Sequence, residues 1–370
     1  MTLDIILIII AFLASIGSGF FLIPQILNFC KKKGLYDLPN ARKIHKNAIP
    51  RLGGVSFLPC MLLAFIIAIM VFDNMSGEQH LTVSAWSCAF LISLLLIYVV
   101  GFVDDLIGLG ATIKFVIQII AATLLPLSGL CINNLYGLFG IYEIPFFISL
   151  PITVFVMVFI MNSINLIDGI DGLCAGLSFL ALGGFLISFM REEMYIYSIL
   201  IAGLMGVLIP YFYFNVYGNA DNNRKIFMGD SGSLTLGFIL GFLFVKYAMN
   251  NPAVMPFRMD GLLLPYTLLI VPVFDVGRII MTRLRHHKPL FDADKNHIHH
   301  KLIRAGLNQH QTLCSILILA TAFIIQNHAL FLYTDITVII ILDILTYILF
   351  HLGLNHIIKT QGKSAFSENK

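Results

Sequence analysis

The sequence predicts an all-α, polytopic membrane protein of about eleven transmembrane helices, with its N-terminus outside and its C-terminus in the cytoplasm. Three observations predict this. First, 58% of the 370 residues are hydrophobic and 12% are charged, against about 25% charged in an ordinary soluble domain. Second, the apolar residues gather into runs near the ~20 residues that a spanning helix needs. Third, twenty of the 23 Lys and Arg residues fall in or beside alternate connections, which the positive-inside rule assigns to the cytoplasm.

The runs cover 3–27, 53–73, 83–102, 112–128, 148–161, 172–190, 196–210, 232–248, 262–281, 312–327 and 334–354. The fifth and seventh are short. The first lacks a basic leading segment and a small-residue cleavage site, so it reads as a retained helix rather than a signal peptide. The connections 28–52, 103–111, 162–171, 211–231 and 282–311, with the C-terminal tail, share the basic side, and the other side holds only Arg191, Lys246 and Arg258. No repeat, low-complexity tract or long linker divides the chain, so 1–370 reads as one multispan domain. The six cysteines are scattered without C-x-x-C spacing and read as small apolar packing residues. A net charge of +3 with the basic residues on one membrane face suits anionic lipid and anionic substrates, and no nucleic-acid partner is expected.

Polar clusters also crowd the basic side. Asp104 and Asp105 are adjacent carboxylates where the third run ends, a place that calls for a cation or donor between them and that the helix dipole disfavours for anions. Asn162, Asn165, Asp168 and Asp171 recur every third residue after the fifth run. Neighbours share a helix face, but each step lags by about 60°, so the outer members diverge unless the helix unwinds at Gly169 or Gly172. In Phe227-Met228-Gly229-Asp230-Ser231-Gly232-Ser233 the glycines permit close approach of a ligand, a serine can cap the helix, and Asp230 can hold a divalent cation against phosphate. His297, His299 and His300 lie in a charged loop with Arg283, Arg285, Lys288, Asp292, Asp294 and Lys295; they can meet phosphate as cations or donors, or bind zinc given a fourth ligand. Lys46 and Arg51 can hold a diphosphate, although positive-inside bias also accounts for them. Asp275 and Arg278, at i,i+3 in the ninth run, read as a structural ion pair. Asp343, in the last run, has no partner that the sequence identifies, although His351 beyond it can be one.

Five of these segments in order resemble the polyprenyl-phosphate N-acetylhexosamine-1-phosphate transferases: PRLGG, GFVDDLIGL followed by Lys114 and Gln118, NSINLIDGIDGL, FMGDSGSLTLGF and PLFDADKNHIHHKL. They are most similar to the bacterial undecaprenyl-phosphate GlcNAc-1-phosphate transferases, relatives of the phospho-MurNAc-pentapeptide translocase. The resemblance runs from about Lys33 to Leu307, and the final two runs add nothing to it. It implies a multispan helical fold of the inner membrane, often a homodimer, with its active site on the cytoplasmic face. It also implies magnesium, with manganese as a substitute, and attack of a polyprenyl phosphate on the β-phosphate of a UDP-N-acetylhexosamine to give polyprenyl-diphospho-sugar and UMP, the first membrane step of a surface-glycan pathway.

By resemblance, Asp230 is the metal ligand and Asp104 orients or deprotonates the lipid phosphate with support from Asp105. Asn165, Asp168 and Asp171 line the nucleotide and diphosphate site, Phe227 lies near the uracil, Lys46 lies near the diphosphate, and His297, His299 and His300 form the His motif. Arg51 and Lys114 join Lys46 as cations that offset diphosphate charge. The translocase branch has Thr where this chain has Arg51, which disfavours the MurNAc-pentapeptide donor. A secondary transporter built on intramembrane carboxylates is the alternative from another class. It calls for sites near mid-membrane and internal repeats, which this sequence lacks.

Overall fold

The computed structural model describes residues 2–36, 48–76, 84–220, 222, 224–287, 289 and 296–367. In chain order it contains α1 (Thr2–Lys33), a 3-10 turn (Gly53–Ser56) entering α2 (Phe57–Ser76), α3 (Ala85–Ile107), α4 (Ala111–Leu127), strands β1 (Asn134–Leu138) and β2 (Ile141–Glu143), α5 (Phe146–Ile167) and α6 (Leu173–Arg191). There follow α7 (Tyr195–Phe212) with a π-helical turn (Tyr213–Tyr217), α8 (Gly229–Ala248), α9 (Leu263–Leu268), α10 (Ile270–Arg285), α11 (Ile298–Arg304), α12 (Gln309–Leu330) and α13 (Ile336–Ser367). Helices dominate because hydrocarbon offers backbone groups no partner, so each spanning segment must satisfy its own.

Among the described residues nine helices are long and apolar enough to cross a membrane, rather than eleven. The fourth expected run is α4, an apolar helix of 17 residues. The ninth is broken between α9 and α10, where Pro272 has no N–H to give Leu268. The all-α expectation also misses an antiparallel hairpin between the fourth and fifth runs: β1 pairs with β2 through Asn134 with Glu143 and Leu138 with Ile141.

α8 is the buried centre, packed against α3 and α5. Gly101 of α3 faces the backbone of Asp230 and Ser231, and Gly237 of α8 faces the backbone of Met161 on α5; a Cβ at either position would collide. Small residues at membrane helix crossings let backbones approach closely. The C-terminal ends of α3 and α5 therefore lie beside the N-terminal end of α8.

At the far end of α8, Arg258 donates to the carbonyls of Tyr247 and Met249, and the Lys246 ammonium lies 3.4 Å from the Trp86 ring centre. Two of the three basic residues on that side thus complement the helix C-terminus and an aromatic face. Asp343 accepts from Tyr266, Gln326 and Asn327, tying α13 to α9 and α12. His351 is not its partner. That ring stands against Tyr347 and Phe350, and neither of its nitrogens is bonded among the described residues.

Candidate active site

Asp104 and Asp105 occupy the last turn of α3, which ends at Gly108. Asp104 accepts from the Leu109 N–H at 2.6 Å, and Lys114, in the first turn of α4, reaches back to it at 3.2 Å. The same ammonium lies 2.6 Å from Asp230 in the first turn of α8. One cation thus bridges two carboxylates from different helices. The other oxygen of Asp230 accepts from Asn165 at 3.1 Å, and Asn165 also donates to Ser233 at 2.8 Å.

Asp105 is used differently. Its two oxygens accept the backbone N–H groups of Asp230 at 2.8 Å and Ser231 at 2.9 Å, so it caps α8 and leaves the Ser231 hydroxyl unbonded among the described residues. That corrects the expectation of a serine cap, and it removes these N–H groups as an open anion site. The neighbouring glycines are crowded on their Cβ side. Gly229, at φ +74°, is enclosed by the Arg51 carbonyl and the Asp105 carboxylate, and Gly232 meets Gly54. They serve the seam in which Pro50, Gly53 and Gly54 exchange backbone hydrogen bonds with Phe227 and Met228. Arg51 donates to the Asp105 carbonyl at 3.0 Å, and Phe227 is half-buried beside it in this seam. Lys46 lies outside the described residues.

The every-third-residue Asn/Asp series separates as the 60° lag requires. Asn162 donates to Gln118, Asn165 to Asp230, and α5 stops at Ile167. Asp168, just past the helix end, is half-buried, and its carboxylate has no hydrogen-bond partner among the described residues. Burial, then Asp230, Asp171 and Asp105, pushes its pKa up to about 7. Asp171 forms an ion pair with Lys225 at 2.7 Å. The turn between α5 and α6 is fixed by Asn215 of the π-helical turn, which accepts from the Gly172 N–H and donates to the Ile226 carbonyl.

Gly169 of this turn packs against the His299 ring, leaving no room for a Cβ. That contact joins the Asn/Asp turn to α11. His299 is 1% exposed, and its Nδ1 has no partner among the described residues. Burial, then His300 and His297, pulls its pKa down to about 3, which favours the neutral ring. His297 is held by Asp275 at 2.7 Å; the same carboxylate accepts the Ile298 N–H at 3.0 Å and pairs with Arg278 at 2.9 Å. The Asp275–Arg278 pair therefore exists, but Asp275, fully buried, also orients the His motif. The His300 ring lies tilted against His299, with centroids 4.3 Å apart. Lys288, Asp292, Asp294 and Lys295 lie outside the described residues.

Sequence reading missed Lys225 and Asn215 and took Asp275 as merely structural. A carboxylate within an apolar run was the available signal for Asp275. No local signal marked the other two.

No group of three or more His, Cys, Asp or Glu side chains forms a metal cage among the described residues, which leaves the zinc reading of the histidines without support. Asp104 and Asp230 do fit magnesium, which takes one or two carboxylates and fills its other positions with water and substrate phosphate. Lys114 already marks the space between them as one that attracts a cation.

A family model described as "Glycosyl transferase family 4" matches residues 87–248. The chain is 28% identical over 327 residues to the probable undecaprenyl-phosphate N-acetylglucosaminyl 1-phosphate transferase of Bacillus subtilis (strain 168), covering 86% of this chain and 84% of that protein. It is 29% identical over 296 residues to the undecaprenyl-phosphate alpha-N-acetylglucosaminyl 1-phosphate transferase of Yersinia pestis, covering 78% and 75%. It is 30% identical over 294 residues to the decaprenyl-phosphate N-acetylglucosaminephosphotransferase of Mycobacterium leprae, covering 72% and 70%.

Proposed function

The chain belongs to glycosyl transferase family 4, and from that premise we propose that it transfers N-acetylglucosamine-1-phosphate from UDP-GlcNAc to undecaprenyl phosphate, releasing UMP. The observation that carries this reading is the Asp104–Lys114–Asp230 bridge with Asn165 and Asp168 beside it, at one end of α3, α4, α5 and α8. One substrate is soluble and the other is a lipid, so the reaction belongs at a membrane face. A transporter site near mid-depth fits these helix-end carboxylates poorly. The asymmetry of Lys and Arg supports a cytoplasmic active site in the inner membrane, with the N-terminus outside and the C-terminus inside.

In this reading an oxygen of the lipid phosphate attacks the β-phosphorus, a new P–O bond forms, and the bond from that phosphorus to the bridging oxygen breaks so that UMP departs. A phosphate monoester has a second pKa of about 6, so the acceptor is largely dianionic at neutral pH and positioning matters more than proton removal. Asp230 would hold magnesium, with Asp104 nearby; when bound, the ion offsets diphosphate charge. Lys114 adds a positive charge on the same side, and Arg51 a second. Asp104 would orient the acceptor or take a proton from its monoanion, with support from Asp105, and Asp168 would line the nucleotide and diphosphate side. The neutral His299 ring can donate an N–H to the donor diphosphate, while His297 is held by Asp275. Asp171, through Lys225, and Phe227, through the Pro50–Gly54 seam, form the nucleotide side.

The test uses purified protein in nanodiscs with undecaprenyl phosphate, magnesium and labelled UDP-GlcNAc. Lipid-linked sugar and UMP in equal amounts are expected. Absence of both with every UDP-N-acetylhexosamine tried refutes the reading, and the same donor panel identifies the preferred sugar.

A further inference from the structure

The last helix carries four polar residues at four-residue steps, Asp343, Tyr347, His351 and Asn355, which places them along one stripe of α13. Most of the remaining surface is apolar and open to lipid, as at Leu345, Leu349 and Leu352. A polar stripe on a lipid-bathed helix needs a protein partner, since an unpartnered polar group in hydrocarbon is costly. Asp343 has its partners on α9 and α12. The other three face the His motif. Tyr347 packs its ring on Phe274 of α10, the neighbour of Asp275 in the chain, at 5.4 Å, and its buried hydroxyl has no hydrogen-bond partner among the described residues. His351 follows with its ring against Tyr347 at 4.6 Å. Asn355 accepts a hydrogen bond at 2.9 Å from Lys301 of α11, two residues after His299.

α13 thus reaches both anchors of the His motif: Lys301 directly, through Asn355, and Asp275, which holds His297, through the adjacent Phe274 on which Tyr347 packs. A helix of seven residues has little stability of its own and takes its orientation from what it packs on. We infer that α13, which lies outside the stretch carrying the family motifs, is a positioning element of the donor site, with Asn355 and Tyr347 setting the placement of His297, His299 and His300 through Lys301 and Asp275. The inference rests on the reading that these histidines line the donor diphosphate site. None of the α13 residues touches substrate; they act through α10 and α11.

The experiment uses the full chain in nanodiscs. Asn355→Leu is expected to lower kcat/KM for UDP-GlcNAc roughly tenfold, leave KM for undecaprenyl phosphate unchanged and leave the melting temperature within error. Asn355→Asp, which keeps the acceptor for Lys301, is expected to restore most of the loss. Lys301→Met and the double variant with Asn355→Leu are expected to match the single variant, because the two residues act as one contact. Asp343→Asn, on the same helix but away from the His motif, is expected to lower the melting temperature without changing either KM. Histidine side-chain resonances, followed by 15N NMR, are expected to shift in Asn355→Leu and not in Asp343→Asn. If Asn355→Leu leaves both the kinetics and the histidine resonances unchanged, or changes activity only in proportion to folded protein, the inference is overturned. Absence of transfer by the wild type overturns the functional reading instead, and the resonances alone then decide whether α13 positions the motif.

Discussion

Replacing Lys114 by methionine separates two things that the ammonium does. Its contacts to Asp230 at 2.6 Å and Asp104 at 3.2 Å are each worth roughly 5–6 kcal/mol of gross attraction at an effective dielectric of about 20. Desolvation offsets most of that, and the side chains retain 13–23% exposure, so the net loss of stability on removal is about 1–2 kcal/mol. Methionine keeps the unbranched stem and leaves two carboxylates facing each other with nothing between. A divalent cation then enters a more negative site without displacing an ammonium. Lys114→Met is therefore expected to bind magnesium more tightly than the wild type, seen as a larger rise in melting temperature at equal magnesium. Its turnover is expected to fall about 10²–10³-fold, the usual loss when one preorganised charge stabiliser is removed. The assay is UMP release over a magnesium titration, beside thermal unfolding of the same samples. Turnover within threefold of wild type, or magnesium dependence unchanged in both measurements, refutes the view that Lys114 shares the carboxylate pair with the metal.

Other expectations follow from the same geometry. Asp230→Asn is expected to abolish turnover and the thermal shift by magnesium while the protein still folds; normal turnover would refute the metal role of Asp230. Asp105→Ala removes both acceptors of the α8 N-terminus and is expected to cost about 2 kcal/mol of stability, read as a lower melting temperature, whereas Asp105→Asn retains one acceptor and loses less. Gly169→Ala drives a methyl into the His299 ring and is expected to cut turnover at least tenfold, while Gly17→Ala, with open space around it, leaves turnover unchanged. The carboxyl of Asp168 is raised to about 7 in the folded protein, which therefore binds more protons than the unfolded chain between about pH 4 and 7. In chelator, stability is expected to fall as pH rises through that window and to level off above it. Asp168→Asn is expected to flatten that part of the melting profile, and an unchanged profile would show that Asp168 is not the titrating group.

Much of the fold, and the places where the polar groups gather, are legible in the sequence. Hydrocarbon forces each spanning segment to satisfy its own backbone, so long apolar runs mark helices with little ambiguity. Every expected run has a helical counterpart, and the two that differ are a short helix, α4, and one interrupted at Pro272. The Asp, Asn and His clusters were legible for a related reason: such groups at the ends of apolar helices need partners or ligands, so their presence at one boundary points to chemistry there.

Roles within the cluster were not legible, because they depend on contacts between residues far apart in the chain. Nothing local distinguishes Asp104, which faces Lys114, from Asp105, which caps α8; the difference is the direction each side chain takes at the end of α3 once Gly101 lets α8 approach. Lys114 and Asp230 are 116 positions apart, and Asp275 reaches His297 across 22 positions and a break between helices. Periodicity and propensity act within a few residues, whereas these pairings follow from how helices pack. The sequence by itself therefore determined the spans, the boundary at which the polar groups gather and the class of chemistry they suit. Only the tertiary structure decided which carboxylate meets a cation, which caps a helix and which holds a histidine, because side-chain packing between distant segments selects partners.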